Sequence, residues 1–277
     1  MGLNRLSRLV TALLPAALLS LSCTQPAADP VTRPFSLTDG EWLDLSYAFS
    51  SETIYWPTAE SFEIDTVSFG ETPAGFFYAA NNFKAAEHGG THLDAPIHFS
   101  AGKQSVDEIP IQNLSGPIIR IDVSSRALQD RDYLVSVEDF NAWEQANGPI
   151  PAGSMVLLHT GYGQFWPDAE AYMGTSARGP NALPDLHFPG LHPEAASWLV
   201  QSRSIKGVGI DTPSIDYGQS TLFESHRNLA GANILIFENV ADLDRVPTTG
   251  AWLVAAPMKI EGGSGGPARL LAFVPSP

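Results

Sequence analysis

His88-Gly89-Gly90-Thr91-His92-Leu93-Asp94-Ala95-Pro96-Ile97-His98-Phe99 concentrates more coordinating chemistry than any other run of the chain. Three imidazoles and a carboxylate so close together suit a borderline divalent cation, which accepts neutral nitrogen and anionic oxygen donors with little geometric preference of its own. Gly89 and Gly90 allow backbone conformations closed to residues with a side chain, and Pro96 biases Ala95 away from helix. The stretch therefore reads as a bent loop, not as a helix presenting two histidines on one face. Such a loop can fold His88, His92 and Asp94 around one point and leave His98 beyond them. An isolated His-x-x-x-His pair arises by chance too often to carry this reading alone.

Upstream, Arg5 and Arg8 precede an apolar run, Leu9 to Leu21, and then Ser22-Cys23. Residues 1–22 read as a bacterial secretory signal of the lipoprotein kind, with Cys23 as the lipidated new N-terminus on the periplasmic side of a membrane. Ser20 stands where such signals usually carry leucine, and a cleaved signal with a soluble periplasmic product is the alternative. Residues 23–35, rich in proline and small polar residues, read as a tether to a single domain over 36–277. Cys23 is the only cysteine, so that domain has neither an internal disulfide nor a thiolate metal site. A single sizeable core must hold it together. Removing residues 1–22 deletes two arginines and takes the formal net charge from −15 to −17. So acidic a chain is a poor partner for nucleic acid or anionic lipid, which leaves the membrane only the lipid anchor and makes solubility the reason for the charge.

Downstream the chain alternates between strand-like and helix-like patterns. Trp42–Ser46, Phe62–Phe69 and Phe76–Phe83 read as strands, the last feeding directly into the histidine loop. Ile118–Val123 and Met155–His159 are apolar runs expected to be buried strands. Ser136-Val-Glu-Asp139 is a capping box that should start a helix running to about Ala146 and stopping at Gly148-Pro149. Phe165–Phe188 reads as a long loop, expected to cover the metal site. Pro193 should open a second helix carrying Ala195–Val200. Lys206–Pro213 reads as a strand running into a turn, Leu229–Ala232 as a small connection and Ile234–Phe237 as a buried strand. Glu238 follows those four apolar residues, where a carboxylate is costly unless paired or bound to a cation. Unaided, His226 reads as a surface or capping histidine and Glu238 as a strand-end carboxylate. Trp252–Met258 and Pro267–Val274 read as closing strands around Gly262-Gly-Ser-Gly-Gly266. That turn lacks the lysine and the helix that would make it a phosphate cradle.

The pattern His-x-Gly-Thr-His-x-Asp-x-Pro-x-His-Phe resembles the signature of the metal-dependent cyclase family, which includes bacterial kynurenine formamidase (arylformamidase) and isatin hydrolase. The resemblance extends from about Trp42 to Val274. It implies a single α/β domain with a mixed, strongly curved, barrel-like sheet of the swivelling β/β/α type flanked by a few helices. It also implies that His88, His92 and Asp94 hold one ion while Asp94, His226 and Glu238 hold a neighbour, the twelve-residue separation of His226 and Glu238 matching the second ligand set. Zn2+ or Mn2+, as one or two ions, fits such donors. Trp56, in a Trp-Pro pair, is implied as a substrate contact, with ordinary core burial the alternative. Dimers or tetramers are the family's usual assemblies.

The resemblance implies hydrolysis of a carbon–nitrogen bond in a small aromatic amide, with N-formylkynurenine the first compound to try. His98, outside the ligand set, is the candidate general acid and base, and a fifth ligand in the competing reading. Because the export signal separates the protein from cytoplasmic metabolites, an isatin-type lactam or a lactone stands beside the formamide. The competing class is a non-catalytic metal-binding surface lipoprotein.

Overall fold

The alternating and apolar runs do form strands, and the strands close on themselves. The computed structural model describes Met1, Gly2 and residues 37–276. The signal, Cys23 and tether readings fall on residues 3–36, outside the described residues. The strands are β1 Gly40–Asp44, β2 Glu63–Glu71, β3 Phe77–Lys84, β4 His92–Asp94, β5 Ser115–Asp122, β6 Leu134–Val135, β7 Met155–His159, β8 Gly190–Leu191, β9 Gly207–Ile210, β10 Leu235–Glu238, β11 Trp252–Pro257 and β12 Gly265–Pro275. Starting from β12, the order β11, β5, β7, β9, β10, β4 leads back to β12, so seven strands make a closed barrel. The far end of β12 also carries β1. This is the mixed, barrel-like α/β architecture expected.

Within the barrel β5, β7, β9 and β10 run parallel, and the other pairings are antiparallel. Parallel neighbours cannot be joined by a hairpin, so each step needs a crossover. The helices, in chain order, are α1 Ser124–Ala127, α2 Val137–Asn147, α3 Ala169–Met173, α4 Pro193–Ser202 and α5 Glu224–Gly231. α2 lies in the crossover from β5 to β7, α4 in that from β7 to β9, and α5 in that from β9 to β10. Side chains alternate across a strand, and here the two faces bury into different cores. Leu93, Met155, Leu157, Leu235 and Phe237 point into the barrel. Val156, Leu158 and Ile236 point outward, against Phe140 and Trp143 of α2, Leu199 of α4 and Leu229 of α5.

The two helices read from sequence form as expected. At α2 the capping box closes, with the Ser136 N–H 2.8 Å from Asp139 Oδ2, and Gly148 at φ 88° ends the helix. α4 begins on Pro193. Three readings are corrected. Leu229–Ala232 is no simple connection but the end of α5, a helix with no side-chain N-cap and few apolar residues to announce it. The strand read at Ile234–Phe237 runs instead from Leu235 to Glu238, which keeps Glu238 at the strand end. Phe165–Phe188 does not lie over the metal site. Its Tyr172, Met173, Leu186 and Phe188 bury their own apolar surface with Ile54 and Tyr162, and Trp56, Phe165 and Trp166 pack on that cluster. β2 and β3 form as expected, but as a separate two-stranded ribbon exposed along nearly its whole length.

Candidate metal centre

The register of β4 and β10 builds the centre. In their antiparallel pairing Glu238 stands opposite His92 and Ile236 opposite Asp94, and residues opposite one another share a face. Leu93 and Phe237 take the barrel side, so His92, Asp94 and Glu238 face out, towards α5. That helix supplies His226 from its first turn. The stretch read as a bent loop is thus a loop as far as Thr91, a three-residue strand at His92–Asp94 and a 3-10 turn at Pro96–His98. The two glycines are both required. Gly90 has φ +55°, and a Cβ on Gly89 would lie 2.0 Å from the Tyr55 ring.

His88, His92 and Asp94 form one group of potential ligands whose donor atoms lie within 4.8 Å of one another, and Asp94, His226 and Glu238 form a second. His88 Nδ1 is 2.6 Å and His92 Nε2 3.1 Å from Asp94 Oδ1. His226 Nε2 is 3.2 Å from Asp94 Oδ2 and 3.1 Å from Glu238 Oε1, and His92 Nε2 is 3.4 Å from Glu238 Oε2. The five side chains expected from the sequence therefore converge, with Asp94 common to both groups. His98 stands outside them. Its ring stacks on His88 at 3.8 Å and lies 6.1 Å from His226.

The chemistry of the donors fits a divalent cation. Asp94 and Glu238 are buried carboxylates, and His92 Nε2 is a buried nitrogen without a hydrogen bond. Against the penalty of burial, His88 and the other imidazoles hold the Asp94 carboxyl well below the usual carboxylate range. Burial likewise opposes a charge on His92, yet Asp94 and Glu238 push its imidazole up to about 10. A cation takes the place of those protons when imidazole nitrogens and carboxylates become ligands. Burial pushes the His98 imidazole down to about 4, so that ring is neutral near pH 7.

Supporting residues complete the centre. Asp216 Oδ2 lies 2.6 Å from His226 Nδ1 and accepts the His226 backbone N–H, fixing which nitrogen faces the centre. The Gly90 carbonyl does the same for His92, at 2.9 Å from Nδ1. Asn239 donates to that carbonyl and, through its own carbonyl, accepts the Thr91 hydroxyl, tying the chain just past β10 to the loop before His92. The Ile215 N–H reaches Glu238 Oε1 at 2.7 Å. Sequence reading missed Asp216 and Asn239. Neither has a spacing to the histidines that sets it apart from other polar residues in turns.

The centre opens into a cavity of about 290 Å³ lined by Trp56, Phe99, Phe223, Ile54, Tyr55 and Pro213 as well as His98 and four of the ligand candidates, His88, His92, His226 and Glu238. Trp56 is half-buried, with its ring edge-on to Phe188 at 6.3 Å and to Phe223 at 6.4 Å, so it serves both cavity wall and core. The 165–188 segment braces this wall from behind, and Arg178 donates to the carbonyls of Tyr55, Trp56 and Ala59. Phe99 belongs to the quoted stretch and Phe223 does not. Neither was singled out as a wall residue.

A family model named Cyclase matches residues 43–217, a span that stops short of His226 and Glu238. The isatin hydrolase of Roseibium aggregatum is 36% identical over 209 residues, covering 73% of this chain and 77% of its own. A kynurenine formamidase of Bacillus cereus is 29% identical over 230 residues, covering 83% of this chain and 95% of its own. The crystal structure of an isatin hydrolase bound to a product analogue, thioisatinate, superimposes with a TM-score of 0.78 at 32% identity, covering 86% of this chain and 94% of that one. Such agreement in fold, length and sequence has one meaning: the chain belongs to the Cyclase family of metal-dependent hydrolases.

Proposed function

We propose that this protein hydrolyses the carbon–nitrogen bond of a small aromatic amide at a centre held by His88, His92, Asp94, His226 and Glu238. One observation carries the reading: the five side chains meet, four of them opening onto a cavity with aromatic walls, and the imidazole of His98 stands beside them outside both groups. A cyclic amide of the isatin type is the first candidate, supported by the identity to isatin hydrolase. An aryl formamide is the second, supported by the likeness to kynurenine formamidase. Zinc or manganese suits three imidazoles and two carboxylates. Homodimerisation is supported by the exposed ribbon of β2 and β3, and export by the pattern Arg5, Arg8, Leu9–Leu21, Cys23.

A bound cation supplies an acidified water and polarises the carbonyl that the water attacks. The protein does the rest. Trp56, Phe99 and Phe223 enclose a flat ring and exclude bulk water. As the C–N bond breaks, oxygen stays on carbon as a carboxylate and the nitrogen must gain a proton, because an amine anion is too basic to leave. His98, neutral and at the cavity wall, takes the proton from water and passes it to that nitrogen. Asp216 holds the His226 ring in place throughout.

Isatin, an aryl formamide and an aromatic lactone, assayed against the zinc- or manganese-loaded protein, test the reading. His98→Ala is expected to keep its metal by elemental analysis and lose about 10²- to 10⁴-fold in turnover, the usual worth of a proton shuttle. His92→Ala should lose metal. Unchanged turnover in His98→Ala removes that residue from the mechanism, and a metal-replete protein inert towards a broad amide and ester panel is a binder instead.

A further inference from the structure

We propose that Ser264 and Glu87 form a relay that fixes His88 as an Nδ1 ligand of the metal, and that the glycine-rich turn at 262–266 exists to deliver it. The proposal rests on the reading of His88 as a ligand. His88 is the most exposed of the five, with 24% of its side chain accessible against 2% for His92 and 4% for His226. Packing alone therefore does least to hold it. The other two imidazoles have their rear nitrogens anchored, His92 on the Gly90 carbonyl and His226 on Asp216, and both turn Nε2 towards the carboxylates. His88 is reversed. Its Nδ1 faces Asp94 Oδ1, and its Nε2 lies 2.8 Å from Ser264 Oγ, 176 residues away in the chain.

The donor inventory settles the direction of that contact. Ser264 Oγ lies 2.5 Å from Glu87 Oε2, which also accepts the Ser264 N–H at 3.0 Å. An ionised carboxylate only accepts, so the single hydroxyl proton points at Glu87. The oxygen can then only accept from His88, and Nε2 carries the hydrogen. Nδ1 is then the nitrogen turned to Asp94, 2.6 Å from Oδ1, and it is the one left to offer a lone pair to a cation.

The turn is built to make this contact. Its backbone is pinned on both sides, the Ser264 carbonyl by the Ala95 N–H at 2.8 Å and the Gly263 carbonyl by the Val106 N–H at 2.9 Å. A Cβ on Gly265 would lie 2.6 Å from His88 Cε1, so only glycine lets the chain pass beneath the ring. The turn that carries no phosphate chemistry thus has a role at the metal. Glu87 and Ser264 are positioning residues, touching a ligand and not the substrate.

Zinc content and zinc affinity, measured on the full-length protein by elemental analysis and chelator competition, test the relay. Ser264→Ala is expected to weaken one bound zinc by about 10- to 100-fold, the usual effect of removing an outer-shell partner. Ser264→Thr, which keeps the hydroxyl, should restore it. The thermal midpoint of the metal-free protein should be the same for Ser264→Ala and wild type. Ser264→Ala with wild-type zinc affinity overturns the relay, as does a loss of metal-free stability that the threonine variant does not repair. His88→Ala is the control, and if it keeps all its zinc the ligand reading fails rather than the relay.

Discussion

Phe223 has φ 49° and ψ 46°, a left-handed backbone adopted immediately before α5. Among the described residues the other non-glycine positions at positive φ are Asn233, Asn239 and Asp242, whose short polar side chains tolerate it. A phenylalanine does not, and the strain costs about 1–2 kcal/mol. It persists because the Phe223 N–H is held by the Ser220 hydroxyl at 3.2 Å, and because the ring it aims fills the cavity wall 5.3 Å from Phe99. Phe223→Gly and Phe223→Ala remove the same ring, but only glycine relaxes at this φ. The glycine variant is therefore expected to be more stable by about 1 kcal/mol in urea denaturation. Both should bind an aromatic amide more weakly. Equal stabilities would mean that the backbone stores no strain. At this scale the histidine loop was legible because its candidate ligands are near neighbours along the chain. Phe223 was not, because nothing in Leu222-Phe-Glu announces a left-handed turn.

Among the elements, α2 and α4 were legible from their starts, a capping box and a leading proline. α5 was not, since Glu-Ser-His-Arg-Asn-Leu-Ala-Gly lacks both a cap and an apolar stripe. It forms because Leu229 and Ala230 bury, and because Asp216 accepts the N–H groups of Ser225 and His226 in its first turn. The joint between α2 and α4 makes a separate prediction. Glu144 receives Arg203 Nε at 2.7 Å and the Ile150 N–H at 2.9 Å. The Arg203 hydrogen bond holds its carboxyl below the ordinary range. A depressed carboxyl stabilises the fold above its unfolded pKa of about 4.3 and loses that contribution as pH falls through the lower, folded value. Glu144→Gln should therefore be less stable than wild type at pH 7. The gap in chemical denaturation should narrow as pH is lowered below about 4, and a gap that does not change with pH would remove the ion pair as its cause.

At the scale of the whole molecule, the ribbon of β2 and β3 stands largely exposed among the described residues. Ile64, Val67, Phe69, Phe76, Phe77, Tyr78 and Phe83 are each 50–76% exposed. A lone hairpin with both faces in water is marginal. Those side chains, at about 200 Å² each when fully exposed, offer on the order of 800 Å², about what one partner contributes to a standard interface. Phe69→Ser with Phe77→Ser should shift a dimer towards monomer in light scattering, while leaving the metal content intact. A wild-type protein monomeric at tens of micromolar would sink the dimer reading. The ribbon also leaves the chain close to the cavity, where Ala59 and Ala86 flank its base. What the sequence determined by itself was whatever covalent spacing can encode: the first triplet of candidate ligands, the alternation that makes strands, the caps of two helices. The resemblance, not local pattern, brought in His226 and Glu238. Only the tertiary structure decided that the centre sits outside the barrel beneath α5, that Asp216 and Ser264 back its imidazoles, and that the long 165–188 segment braces the wall instead of roofing it. Those outcomes depend on strand register and on packing between segments far apart in the chain, and no short stretch of sequence carries either.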